Sequence, residues 1–87
     1  MKITRTDVAQ KLIDYLQHRI ALAELVDWAE QALMEADLDE HDVELLRDAL
    51  AHLGLADVKA FGLSWEECEQ LLIRLGYRAL VQVSPIA

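Results

Sequence analysis

The sequence predicts an all-α fold, a small bundle of four main helices plus one short helix, in a single helical domain that covers residues 1–87. Three observations predict it. The chain has 87 residues, too few for two hydrophobic cores, and 54% of them are hydrophobic. A helix-start pattern occurs three times complete and once without its cap. Apolar residues follow each start at helical spacing.

The first helix is predicted to begin after Thr4, which can accept a hydrogen bond from the backbone of the first turn. Ile3 and Val8 are the apolar residues on either side of this cap. Asp7 is the acid whose side chain can accept a hydrogen bond from the backbone N–H of Thr4 in return. The second helix follows Ala21, whose side chain cannot accept such a bond. Helices one and two are therefore predicted to join by a bend rather than a clean loop.

The third helix is predicted to begin after a cap at Asp39, and the fourth after a cap at Ser64, with Cys68 as its second apolar flanking residue. Gly54 and Gly76 lie where a glycine commonly follows the last turn of a helix. Between residues 55 and 61 there is room for a short helix of about two turns.

Residues 55–76 have the order of a helix-turn-helix corner, and residues 77–87 form a tail. Residue types alternate along the tail, and β-branched residues lie near its end. This pattern is typical of a short strand over residues 77–83. A lone strand needs a partner strand, and there are two candidates for it. It can pair with residues 2–3 or with the same tail of a second copy, which would make a homo-oligomer.

Charge excludes several partners. Eight Lys and Arg oppose sixteen Asp and Glu, giving a net charge of -8. Such a surface repels nucleic acid and anionic membranes, so neither is an expected partner. No apolar run approaches the roughly 18 residues of a membrane span, and the first residues do not resemble a secretory signal. With a single cysteine, these features favour a cytoplasmic location.

The helix-turn-helix corner indicates an alternative function. The chain would then be a transcriptional regulator rather than a protein-binding module. Its second helix, however, opens with carboxylates at Glu66, Glu67 and Glu69. A DNA-reading helix presents basic or amide side chains at these positions, because it faces phosphates and base edges. The corner therefore resembles a DNA-binding motif in shape, and its recognition helix is atypically acidic.

No catalytic, cofactor or metal site is predicted. The chain has no glycine-rich phosphate loop and no converging His and carboxylate set, so we expect neither an enzyme nor a cofactor. A calcium loop beginning at Asp37 fails because its sixth position is Asp42 instead of Gly. Each histidine follows an aspartate by four residues, which predicts local pairs rather than metal ligands: Asp14 and His18, Asp37 and His41, Asp48 and His52.

Acidic residues concentrate in the first 54 residues, where twelve acids oppose five bases. Two interpretations stay open: a solvated face that aids solubility, or a patch that steers a basic protein into contact. Trp28 lies at the edge of the apolar stripe and is expected in the core, unless it is exposed as an anchor. The predicted partner-binding residues are Glu24, Asp27, Trp28, Glu30, Glu35, Asp37 and Glu40.

One stretch resembles known proteins. Residues 20–29, read as Ile20-Ala21-Leu22-Ala23-Glu24-Leu25-Val26-Asp27-Trp28-Ala29, are similar to a phrase in small bacterial helical proteins, some of them grouped with toxin-immunity proteins. In those proteins an Ile-Ser-x-Glu-Glu opening precedes a Trp-Ala pair. Here Ala21 replaces the serine, while Glu24 and the Trp28-Ala29 pair are kept. The resemblance implies a bacterial origin and a toxin-neutralising role.

Overall fold

The computed structural model describes residues 2–35, 37–58 and 63–86, and this part of the chain is mainly helical, as predicted. It also contains a short parallel sheet that the sequence did not predict. Along the chain, the described elements are β1 (Lys2–Ile3), α1 (Arg5–Leu16), α2 (Leu22–Glu35), β2 (Asp37–Leu38), α3 (Val43–Gly54) and α4 (Trp65–Arg74).

The start of α1 confirms the prediction of a reciprocal cap. The Thr4 Oγ1 accepts a hydrogen bond from the Asp7 N–H at 3.3 Å, and the Asp7 Oδ2 accepts one from the Thr4 N–H at 2.9 Å. Both bonds use backbone donors that have no partner within the helix. The helix ends at Leu16 with Gln17 as its C-cap, and His18 then takes a positive φ of 64°. Helices α1 and α2 are thus separate.

At the start of α2 one half of this arrangement is present. Ala21 has no side-chain acceptor, but its N–H donates to the Glu24 Oε1 at 3.4 Å. Glu24 therefore helps to fix the first turn, where a negative charge also complements the helix dipole.

The predicted cap of α3 at Asp39 is wrong. The Asp39 side chain accepts from the N–H of His41 at 3.1 Å, and the Asp42 N–H donates to the Asp39 carbonyl at 3.0 Å. These bonds make a turn, so the helix begins only at Val43. Asp42 is the N-cap residue, but its side chain makes no capping bond and instead pairs with Arg5 at 3.2 Å.

The start of α4 is as predicted, since the Ser64 Oγ accepts from the Glu67 N–H at 3.2 Å. Gly76 follows this helix with a φ of 94°, the left-handed conformation expected of a glycine that ends a helix. Gly54 differs from the prediction, because it is the last residue of α3 and Leu55 follows as the C-cap. A Cβ on Gly54 would lie 3.4 Å from the Cγ of Glu30, an ordinary contact distance, so α2 packs against this end of α3 without requiring a glycine there.

The predicted short helix over residues 55–61 falls partly outside the described residues. Residues 55–58 form hydrogen-bonded turns rather than a helix, with the Val58 N–H donating to the Leu55 carbonyl at 3.0 Å. Residues 59–62, which include the predicted turn of the helix-turn-helix corner, lie outside the described residues. Residues 77–86 are not a strand in this single chain.

The sheet joins the beginning of the described chain to the connection between α2 and α3. Strands β1 and β2 are parallel, with Lys2 opposite Asp37 and Ile3 opposite Leu38. The Asp39 N–H extends the pairing by donating to the Ile3 carbonyl at 2.9 Å. This overturns the expectation that residues 2–3 pair with the tail. Ile3 is almost fully buried, so its burial helps to hold the short sheet in place.

One hydrophobic core lies between the helices, and α2 and α3 make the most extensive contact in it. Cys68, Leu71 and Leu72 bring α4 into the same core. The small buried residues Ala29, Ala32 and Ala49 belong to α2 and α3. The large side chains that are almost completely buried are Ile3, Leu12, Leu25, Leu46, Leu50, Leu53 and Leu75.

The two side-chain caps give a test of the helix starts. We expect Thr4→Ala and Ser64→Ala each to lower the free energy of unfolding by about 1 kcal/mol, because each leaves a first-turn N–H without its acceptor. Urea unfolding followed by circular dichroism measures this. Thr6→Ala and Ser84→Ala remove the same hydroxyls at exposed positions and serve as matched controls. Equal losses in caps and controls would contradict the assignment.

The two glycines are expected to respond to alanine in opposite directions. Gly54→Ala should raise the free energy of unfolding by about 0.5–1 kcal/mol, because Gly54 is helical and the added Cβ meets Glu30 at an ordinary contact distance. Gly76→Ala should lower it by at least about 1 kcal/mol, because an L-residue is strained at this φ. Thermal melts of both variants measure the signs, and equal signs would refute this account.

Candidate functional site

The outward face of α2 carries most of the predicted partner-binding residues. Glu24, Asp27 and Glu35 are exposed, and their spacing of three and eight residues places them on the same side of the helix. Glu30 is also exposed, but it lies toward α3, where its Cγ approaches Gly54. The helix contains no Lys or Arg. The structure therefore brings these four carboxylates together on one helix surface.

Trp28 is half-buried and packs against the core, as the position at the edge of the stripe predicted. The Nζ of Lys11 lies 5.7 Å from the centre of its ring, which is a cation–π distance. The ring therefore joins α1 to α2, and only its outer part is available to a partner.

Asp37 and Glu40 lie beyond the end of α2 and are less closely tied to its face. Asp37 is exposed in β2, where it lies opposite Lys2 in the register of the sheet. Glu40 is exposed in the turn before α3. These two residues form an edge of the acidic surface rather than its centre.

Met34 is a member of this surface that the sequence analysis missed. Its side chain is 81% exposed, and the neighbouring Leu33 is partly exposed. The signal was its position, because Met34 follows Asp27 by seven residues and so lies on the same outward side of α2. An exposed methionine is a flexible apolar contact that adapts to different partners. We call Glu24, Asp27, Glu30, Met34 and Glu35 the α2 face.

Salt bridges among the described residues involve none of the α2-face carboxylates. The pairs are Arg5 with Asp42, Arg19 with Asp14, His52 with Glu67 and Arg74 with Asp48. The negative charge of the α2 face is thus not neutralised by these pairs.

The histidines do not form the predicted local pairs with aspartates. Asp14 accepts hydrogen bonds from Arg19 at 2.9 Å and Gln10 at 3.0 Å, and these bonds lower the pKa of its carboxyl group. His52 instead lies 2.9 Å from the Glu67 carboxylate, across the gap between α3 and α4. Within residues 2–35, 37–58 and 63–86, no three His, Cys, Asp or Glu side chains are placed to hold a metal ion.

Cys68 is buried in the core, as predicted. Burial raises the pKa of its thiol, and the nearby charge of Glu67 raises it further. A protonated, enclosed thiol is a poor nucleophile. Cys68 is therefore a small apolar packing residue of α4.

A groove of about 580 Å³ runs between the body of the protein and the tail. Its floor consists of residues from α1 and α4, among them Leu16 and Leu72, and its rim includes Trp65, which is 41% exposed. The other rim is the tail from Tyr77 to Gln82. This groove was not predicted, because it depends on the path of the tail across two helices.

Compared with protein-family models, with curated proteins and with solved structures, the chain matches none. The resemblance to small bacterial helical proteins and to immunity proteins therefore stays a prediction. In the described residues, no helix is both long enough and apolar enough to cross a membrane.

The buried thiol gives a prediction about pH. Because the folded thiol has a raised pKa, its contribution to stability is complete below the ordinary thiol pKa of 9.0 and is lost as the pH rises above it. The difference in unfolding free energy between the parent chain and Cys68→Ala should therefore shrink above that pH. Urea unfolding at several alkaline pH values measures it, and a constant difference would contradict the account.

Proposed function

We propose that this chain is a non-enzymatic protein-binding module whose partner is a protein with a basic surface. The observation that supports it is the α2 face, which presents four carboxylates, no basic side chain and an exposed methionine. Charges of one sign attract a partner of opposite sign over about 8 Å at physiological ionic strength, and so accelerate encounter.

Affinity in such a complex comes mainly from apolar contacts, since exposed ion pairs contribute little. Met34 supplies such a contact at the centre of the acidic residues, and the outer part of Trp28 supplies another at the side of the helix. The α2 helix has 14 residues and is about 21 Å long, which suits a partner helix laid along it. The expected ligand is therefore a basic amphipathic helix.

A toxin-neutralising role in a bacterial cytoplasm is one form of this proposal. An immunity-type protein covers a basic functional surface of its toxin, and an acidic helix face suits that task. The sequence resemblance of residues 20–29 supports this form, because Glu24, Asp27 and Trp28 belong to both the resembling stretch and the predicted site.

A further part of the proposal is self-association through residues 77–83. This segment includes Leu80, Val81 and Val83, whose side chains are largely exposed. Contiguous exposed apolar side chains on a monomer commonly mark a contact site.

The basic-partner proposal is tested by binding of a lysine- and leucine-containing amphipathic helical peptide, followed by fluorescence anisotropy at increasing salt. The variant Asp27→Asn with Glu35→Gln should weaken binding about tenfold and reduce its salt dependence, because both carboxylates lie on the α2 face. Glu24 is left unchanged, since it also fixes the start of α2.

The matched control is Asp57→Asn with Glu66→Gln, which removes two exposed carboxylates elsewhere and changes the net charge equally. An equal loss in both double variants would mean that net charge alone governs binding, which contradicts the α2 face as the site. A duplex oligonucleotide is the second probe. Salt-sensitive binding of the duplex by the parent chain would support the transcriptional regulator instead.

A further inference from the structure

The tail from residue 78 to 86 belongs to no helix or strand of the described chain. From Arg78 to Ile86, no backbone N–H or C=O makes a hydrogen bond to another described part of the chain. The last such bond is the Tyr77 N–H to the Leu72 carbonyl at 2.8 Å. An extended segment with free backbone donors and acceptors is a template for pairing with another strand.

The side chains of the tail are apolar and uncovered. Leu80 is 80% exposed, Val81 67% and Val83 90%. When the tail pairs as a strand, alternate residues share a face, which places Ala79, Val81 and Val83 on one side of it. Ala79 packs partly against the core, and residues 77–82 line the groove beside Trp65. In the paired strand, the exposed valines therefore continue an apolar face that begins at Ala79.

Charge favours a second copy as the partner at this place. Between Tyr77 and Ile86 the only charged side chain is Arg78, whereas the rest of the chain carries sixteen acidic and seven basic residues. A basic protein finds no carboxylates on the tail. Two acidic copies, in contrast, can meet here without bringing carboxylates together on the paired segments.

We propose that two copies of this chain associate by antiparallel pairing of residues 77–85, in a register that places Val81 opposite Val81 of the second copy. This rests on the self-association through residues 77–83 proposed above and adds its geometry. The register places Ala79 opposite Val83 and Arg78 opposite Ser84. The two Arg78 side chains are then about 20 Å apart along the strands, beyond the range of strong repulsion.

The hydrogen-bond pattern supports this register. Opposite residues in an antiparallel pair alternate between those that exchange hydrogen bonds and those that do not. Tyr77 lies opposite Pro85. The Tyr77 N–H already donates to the Leu72 carbonyl, and Pro85 has no backbone N–H. That pair must be non-bonded, so the central Val81 pair is non-bonded too. Its Cα atoms are then about 4.5 Å apart, with the valine side chains in contact.

The interface is small. Nine paired residues extend over about 30 Å. A strand pair of that length, with its valines laid over the groove, lies at the low end of specific interfaces, below about 600 Å² per partner. The dimer should therefore be weak and should appear with rising concentration.

Sedimentation equilibrium of the full chain from micromolar to millimolar concentration tests the inference. The parent chain should dimerise, and Val81→Lys should weaken the dimer at least about tenfold, because the two lysines face each other. Mixing Val81→Lys with Val81→Glu chains should restore association as a heterodimer. Leu55→Lys makes the same charge change at an exposed apolar residue outside the tail and the α2 face, and should leave the dimer intact.

Cysteine cross-linking tests the register. Under mild oxidation Val81→Cys should form a disulfide-linked dimer, since the Cα separation lies within disulfide reach. Val83→Cys should not, because in this register the two Cα atoms are about 14 Å apart. The parent chain, whose Cys68 is buried, is the control.

The outcomes separate the claims. A monomer at every concentration would overturn both the self-association and its geometry. A dimer that tolerates Val81→Lys, or that links through Val83→Cys instead of Val81→Cys, would overturn the geometry alone. None of these results depends on the binding of a basic peptide to the α2 face.

Discussion

The close approach of α2 and α3 is the constraint on which the other elements depend. Small buried residues, Ala29 and Ala32 on α2 and Ala49 on α3, keep the side chains between the two helices short. The connection between these helices is short, so it stays at one end of the helix pair. This connection contains β2. Strand β1 then pairs with β2, which in turn fixes where α1 begins.

The sequence allowed prediction of those features that local chemistry decides. The caps at Thr4 and Ser64 were predictable because each capping hydroxyl and the backbone N–H that donates to it are three residues apart. The cap at Asp39 failed because its side chain accepts from the His41 N–H in a turn that precedes the helix, and α3 begins only at Val43. A two-residue strand is also too short to show an alternating pattern, so β2 could not be recognised and residues 2–3 were predicted to pair only with the tail.

The candidate site shows the same division. Helical spacing was sufficient to place Asp27 and Glu35 on an exposed face, because periodicity fixes direction relative to the core. It could not show that Trp28 lies under Lys11 of another helix, or that Asp37 lies opposite Lys2. Met34 was predictable in principle, but an apolar residue at an outward position attracts notice only once its exposure is known.

The β1–β2 pairing has a consequence for the order in which the molecule forms. The two strands close a loop that contains both α1 and α2. Their contact therefore costs the conformational entropy of closing that whole loop. The hydrogen bonds of a helix join residues that are close in sequence, so helices form early. The hydrogen bonds between β1 and β2 form only after the two ends of this loop have met. We therefore expect the beginning of the described chain to reach its final position late, after the helices that separate it from its partner.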